Sequence, residues 1–282
     1  MTRGRQPAAL EDRLQAIERL IAEDAGGRGI GPLVQWGQLG AAARALLHAP
    51  RVVIVSGFFI PAAMAGETDG PPGALALQQA LAALGSEVVQ LTDARNRPLL
   101  AALAVRPLYT AWAEVLAGGS PTHLLGVERP GRAADGRYYN MRGLDISATT
   151  EPLDEPFLAA GRDGRVTVGI ADGGNEIGMG CVADLVRRHV PQGQRIASVV
   201  PADHLIVAGV SNWGCYGLAG ALSLLSGRDL LPSAQAAADA VTRIVAAGAV
   251  DGQTWRNEAT VDGLPLAKSL SVLESIRRCI AG

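Results

Sequence analysis

Lysine is almost missing from this sequence. Lys268 is the single example, and arginine supplies nearly all of the 25 positive charges. Schiff-base chemistry on a lysine amine therefore has almost nothing to draw on. Aromatic residues make up only 4% of the chain, too few for a surface on which bases stack. An excess of charge is also lacking. The 25 basic and 27 acidic residues leave a net charge of -2 with no basic block, which argues against nucleic acid as a partner. Cysteine is scarce: Cys181, Cys215 and Cys279 have no metal-ligand spacing to one another. Three such thiols read as a reduced, cytoplasmic protein rather than a disulfide scaffold. The N-terminal MTRGRQPAALEDRL has no apolar core, so no signal peptide is expected. The apolar stretch 204–225 is broken by Asn212, Trp213 and Gly214 and preceded by Asp203. It is expected to be a buried strand, a loop and a buried helix, not a membrane span. The oligomeric state is left open, a homo-oligomer included.

What the chain does have is 282 residues, 48% of them hydrophobic, enough for one large α/β domain. Helical spacing of Leu10, Leu14, Ile17 and Ile21 predicts a helix over 10–23. A second follows over 33–48. Continuous β-branched or apolar runs predict strands at 52–55, 88–91, 123–127, 166–170, 196–200 and 205–210. Between them lie helical patterns at 71–84, two within 96–118, one within 151–164 and one from Val182 to Val190. Two more, at about 233–247 and 266–281, end the chain. The alternation predicts an α/β fold: a largely parallel or mixed central sheet with helices on both faces. One compact domain over 1–282 is expected, with the helix and loop of 1–30 at its periphery.

The sequence is organised around residues 169–180, GIADGGNEIGMG. An apolar β-run precedes it and a helical pattern follows, so it reads as a strand-to-helix loop. Open α/β sheets hold their ligands in such loops. Glycines let bare amides approach a ligand, and Asp172 and Glu176 would bring two carboxylates into one small volume. That suits a hard cation or a proton-transfer pair. The plainer alternative is a glycine-rich turn whose acids cap the next helix. No Lys-Ser/Thr follows, as a P-loop requires, so no nucleotide cofactor is expected.

Other polar residues fall just after strands: Glu67 and Asp69, Asp93, Glu128, then Ser211 and Asn212. A parallel sheet would gather these loops on one acidic rim, which must be neutralised by a cation, by protons or by a cationic substrate group. Oxygen ligands alone favour Mg²⁺ or Mn²⁺ over zinc. Glu67, Asp69, Asp172 and Glu176 are the candidate metal ligands. For Asp93 and Glu128 the plainer role, capping a helix or facing water, is preferred. Glu176, Asp172 and Asn175 are the candidate catalytic residues, with Glu176 as the base. Gly173, Gly174, Ser211, Asn212, Asn140 and Arg142 are the candidate substrate contacts, Arg142 as the partner of a carboxylate. Among four histidines, only His204, beside Asp203, is retained as a catalytic candidate.

Four long segments, GFFIPAAMAGETDGPPGA, ERPGRAADGRYYNMRGLDI, IADGGNEIGMG and AGVSNWGCYGL, in this order and spacing, resemble the D-glutamate cyclase family. The likeness runs from about residue 30 to the end. It is to the catalytic domain that ends the mitochondrial vertebrate enzyme and stands alone in many prokaryotes. Ala171 departs from the pattern, which has glycine before Asp-Gly-Gly. The resemblance implies intramolecular dehydration of D-glutamate to 5-oxo-D-proline, hence a lyase with a small-molecule substrate. Two other readings stand beside it: a Mg²⁺- or Mn²⁺-dependent hydrolase of a phosphate ester, its phosphate facing Gly173, Gly174 and Gly178, and a non-enzymatic sensor of an acidic metabolite.

Overall fold

The computed structural model describes residues 5–281. Residues 1–4, part of the stretch read above for a signal peptide, lie outside the described residues. The central sheet has six strands: β1 (Arg51–Ser56), β2 (Glu87–Leu91), β3 (Leu108–Tyr109), β4 (His123–Val127), β5 (Val166–Ala171) and β6 (His204–Val207). All pairings are parallel and the spatial order is β3-β2-β1-β4-β5-β6. The chain therefore winds outward from β1 in one direction and returns from β4 in the other. The crevice between β1 and β4 is the switch point where such sheets bind ligands.

The strands are buried on both faces, which is why they read as continuous apolar runs rather than alternating ones. One face, with Val52, Ile54, Leu125, Val127, Val168 and Ile170, packs on helices Arg5–Ile21, Gln38–Leu46, Pro71–Ala83, Ser211–Ser226 and Leu266–Ala281. The other, with Val53, Val55, Leu91 and Leu124, packs on Phe157 and Ala160 of helix Glu155–Asp163. Helix Ala183–His189 covers the β5–β6 side through Val186.

Three expectations change. The run 196–200 is not a strand. After Ile196 the backbone crosses over the central loop, where Ser198 N–H donates to Gly174 O and Val199 N–H to Arg132 O. Its hydrogen bonds go to loops rather than to the sheet. The short edge strand β3 was hidden within a segment read as helical. The N-terminal helix is also no periphery: Leu14, Ile17 and Ile21 sit in the core. At Gly209 the chain passes against the end of this helix, and a Cβ there would lie 1.9 Å from Glu23 O. Only glycine permits that approach. No helix among the described residues is long and apolar enough to cross a membrane.

Candidate active site

Register aligns the strand ends: Ser56 lies opposite Val127, Val127 opposite Ile170, and Ile170 opposite Ile206. The loops after β1, β4, β5 and β6 thus leave from one rim. The β1 loop folds back through a small hairpin, Phe59–Ile60 against Ala65–Gly66, and returns Glu67 and Asp69 to it. Thr68 N–H donates to Val250 O and Val250 N–H to Gly66 O. This ties the loop to the segment 250–263, which carries Asp262. Gly70 then lies against Glu128, with φ +92° and only 2.7 Å between a built Cβ and Glu128 Cβ.

A cavity opens on this rim, lined by Arg28, Glu67, Glu128, Asp172, Asn175 and Asp262 at depth and by Asn140, Arg142, Gln253 and Trp255 toward its mouth. Of the expected residues, Glu67, Asp172, Asn175, Asn140 and Arg142 line it. Glu128, preferred above as a cap, joins them as a cavity acid, while Arg28, Asp262 and Trp255 were missed. Three of the lining residues that are not glycine, Glu128, Trp255 and Asp262, have positive φ of 44°, 60° and 56°. That backbone is costly for L-residues and is held by its surroundings, as at many functional sites.

Arg28 is the buried counter-charge. Asp24 fixes its loop, Oδ1 accepting from Arg28 N–H at 2.8 Å and Oδ2 from Gly29 N–H at 2.9 Å. The guanidinium pairs with Asp172 through Nη1 and with Asp262 through Nη2. Asp172 Oδ2, Asp262 Oδ2, Glu67 Oε1 and Asn175 Oδ1 are buried without a hydrogen-bond partner. Five acids thus share one arginine. Burial, and then Asp262 and Asp69, push the Glu67 carboxyl well above its usual range. Burial raises Glu128 strongly, with Asp172 and Glu176 adding to it. Burial also raises Asp172, against the pull of Arg28. Asp262 rises to about 8 through burial, again against Arg28. Asp69 rises to about 7 through burial and Asp262, although the amides of Asn212 and Ser211 oppose it. The cavity therefore holds exchangeable protons near neutral pH, or a cation in their place.

One carboxylate oxygen each of Asp69, Glu128 and Asp172 lies within 4.8 Å of the others. This all-oxygen group, with the unpartnered Asp172 Oδ2 beside it, fits a hard divalent cation. Of the four expected ligands, Asp69 and Asp172 belong to this group; Glu128 joins them, while Glu67 and Glu176 are not part of it. Glu176 Oε1 accepts from Gly173 N–H at 2.7 Å and its Oε2 from Gly174 N–H at 2.6 Å. The next helical turn begins only at Gly180, so Glu176 does not project from a helix toward Asp172's ligand group. It curls back and closes its own loop, with a backbone amide on each carboxylate oxygen. The same bonds occupy the amides of Gly173 and Gly174, and Gly178 N–H donates to Val200 O. The amides expected to meet substrate or phosphate are spent inside the protein.

Ser211 and Asn212 also act from behind the cavity. Their backbone N–H groups donate to Asp69 at 2.7 and 2.8 Å, so Asp69 caps helix Ser211–Ser226 across 142 residues. Ser211 Oγ donates to Glu128 at 2.5 Å. Asn212 accepts from Gly73 N–H and donates to Thr68 O. Asn175 Nδ2 donates to Tyr139 O at 2.7 Å, which aims its free Oδ1 inward. Asn140 Oδ1 accepts from the Arg142 and Leu144 amides and so shapes the turn that carries Arg142. His204 stands at the opposite end of the sheet, at the start of β6, 3.2 Å from Gln38, and has no part in the site. Ala171 is the last residue of β5 and is not at positive φ, so the departure from glycine is accommodated.

The chain matches the family described as D-glutamate cyclase-like, C-terminal, over residues 17–277. It is 41% identical over 240 residues to the human protein named "D-glutamate cyclase, mitochondrial". The match covers 76% of this chain and 39% of that relative, so the chain spans about two fifths of its relative's length. The chain belongs to the D-glutamate cyclase-like family.

Proposed function

We propose that this chain is a lyase that interconverts D-glutamate with 5-oxo-D-proline and water. The observation that carries the reading is the buried acid cavity, lined by four carboxyls and Arg28, in which several oxygens lack partners. Ring closure must move two protons from the ammonium nitrogen to the departing carboxylate oxygen. After the first proton is lost the nitrogen attacks the γ-carboxyl carbon, and after the second is lost from the tetrahedral adduct the oxygen leaves as water. Closely packed acids that hold protons near pH 7 suit such a relay.

Asp172, whose anionic form Arg28 favours against the effect of burial, takes a proton from the ammonium through its free Oδ2. Asn175 Oδ1 accepts a hydrogen bond from the same nitrogen and orients it. Glu67, held protonated by burial, donates from its free carboxyl to the leaving oxygen. Walls of Phe58, Ile60 and Pro61 hold the chain folded, which favours a reaction that is already unimolecular. A Mg²⁺ or Mn²⁺ ion on Asp69, Glu128 and Asp172 would neutralise the γ-carboxylate and make its carbon electrophilic. No nucleotide cofactor, nucleic acid or membrane enters this reading. The unpaired cysteines and the lack of a long apolar helix among the described residues are compatible with a cytoplasmic location.

The phosphate-ester reading is weaker, because the amides it needs donate to Glu176 and Val200 and the lining acids repel a phosphate dianion. The sensor reading leaves the free, proton-holding acids without a purpose. The test is chiral chromatography of D-glutamate, L-glutamate and 5-oxo-D-proline incubated with the protein, with Mg²⁺, Mn²⁺ or chelator. Interconversion of the D-compounds above the uncatalysed rate is expected. No conversion under any of these conditions would overturn the reading.

A further inference from the structure

The cavity is acidic, yet the proposed substrate carries two carboxylates. Its lining contains two cations among the described residues, Arg28 and Arg142. Arg28 is committed to Asp172 and Asp262. Arg142 is different. It is exposed at the mouth, with its guanidinium carbon 3.9 Å above the centre of the Trp255 ring. One Nη donates to Gln253 O at 2.9 Å, and its other N–H groups have no protein partner among the described contacts.

The shelf beneath it is rigid. Asp251 is fully buried. Its side chain accepts from the amides of Gln253, Thr254 and Gly263 at 2.8–2.9 Å, and its carbonyl accepts from Trp255 N–H at 2.8 Å. Trp255 is thereby held at φ 60°, a conformation that an indole side chain rarely adopts without such support. On the other wall, Asn140 fixes the Arg142 turn. Stacking on an indole restrains the guanidinium plane while leaving its edge open, the geometry in which arginine reads a carboxylate.

We infer that Trp255 positions Arg142 as the reader of the spectator α-carboxylate of the substrate. This inference rests on the cyclase reading and deepens it. The γ-carboxyl and the amine must both reach Asp172 and Glu67 at depth. The α-carboxylate takes no part in bond making and is left at the mouth, where Arg142 has free donors. It persists in the product, so Arg142 holds substrate, transition state and product alike. Such uniform binding sets KM and product affinity and leaves kcat largely unchanged. Arg142 is then a binding residue and Trp255 a positioning residue.

The test compares D-glutamate with its α-amide, and 5-oxo-D-proline with 5-oxo-D-prolinamide, in the full chain. Cyclisation kinetics and calorimetric product binding are both measured. Arg142→Gln should raise KM for D-glutamate about 10–100-fold, the range of one charge-assisted pair, with kcat within about threefold. It should also abolish the preference for acid over amide. Trp255→Ala should weaken only the acids, by about 3–10-fold, and Trp255→Phe should restore most of the loss because a ring face remains. If wild type binds 5-oxo-D-proline but the variants keep its acid-over-amide preference, the inference falls and the cyclase reading stands. If the variants lose kcat and acid and amide binding together, the residues are merely structural and the inference again falls. If wild type neither turns over D-glutamate nor binds the product, the cyclase reading itself fails and takes this inference with it.

Discussion

Asp93 and Asp172 occupy equivalent places, each just beyond the end of a parallel strand and each only 1% exposed. Around Asp93 both oxygens are engaged. Oδ1 accepts from the amides of Arg95 and Asn96, while Oδ2 accepts from Arg129 and the Asn96 side chain. Around Asp172 one oxygen meets Arg28 and the other meets no partner. Burial is the same, but hydrogen-bond satisfaction is not. A buried acid with every lone pair engaged holds loops together. A buried acid with a spare oxygen beside other acids stores charge and protons for a ligand.

The sharpest way to break this contrast is Asp93→Ala. It leaves the Arg129 guanidinium buried without its carboxylate, which should cost about 3–5 kcal/mol in denaturant unfolding. Cyclisation per folded molecule should stay near wild type. Unchanged stability would show that the Asp93 pair is not the structural member of the comparison. Asp172→Asn should do the reverse. We expect kcat to fall about 100-fold, the reach of one proton-transfer group, equivalent to about 2.7 kcal/mol. Thermal stability should be equal or higher, because like-charge repulsion is relieved. A variant that unfolds while keeping its activity would assign Asp172 to the structural class.

A pH series sharpens the contrast further. In chelator, Asp262 with a folded pKa of about 8 and Asp69 with about 7 bind protons that the unfolded chain releases near pH 4. Between those limits the native state holds more protons, so stability is full below about pH 4 and falls as pH rises through 7–8. Each group contributes up to about 1.4 kcal/mol per pH unit across that window. Arg28→Gln should steepen the fall, and Mg²⁺ or Mn²⁺ should recover stability at pH 8. A melting temperature that rises from pH 5 to 8 in chelator contradicts this charge assignment. The smallest effect is expected for Ala171→Gly, which installs the glycine that the resemblance leads one to expect before Asp172. It loses about 0.5–1 kcal/mol through added chain freedom in a strand, with unchanged turnover. A gain in activity would reveal a need for backbone freedom beside Asp172.

Much of this was legible in the sequence. Apolar runs marked β1, β2, β4, β5 and β6, because a strand buried on both faces needs such residues at every position. Polar residues after those runs marked the rim, because parallel strands send all their following loops to one side. The four long segments marked the family. The run 196–200 misled because apolar β-branched residues satisfy their backbone equally well over a loop. Tertiary structure alone decided which acids act together. Arg28 reaches Asp172 across 144 residues, and Asp262 arrives from the other end of the chain, so no local spacing could pair them. Glu176 sits four residues from Asp172, yet its carboxylate is bound by the amides of Gly173 and Gly174. Sequence fixes which charges a loop carries, but whether each is neutralised by an amide, an arginine or a ligand depends on what the fold brings within hydrogen-bond reach.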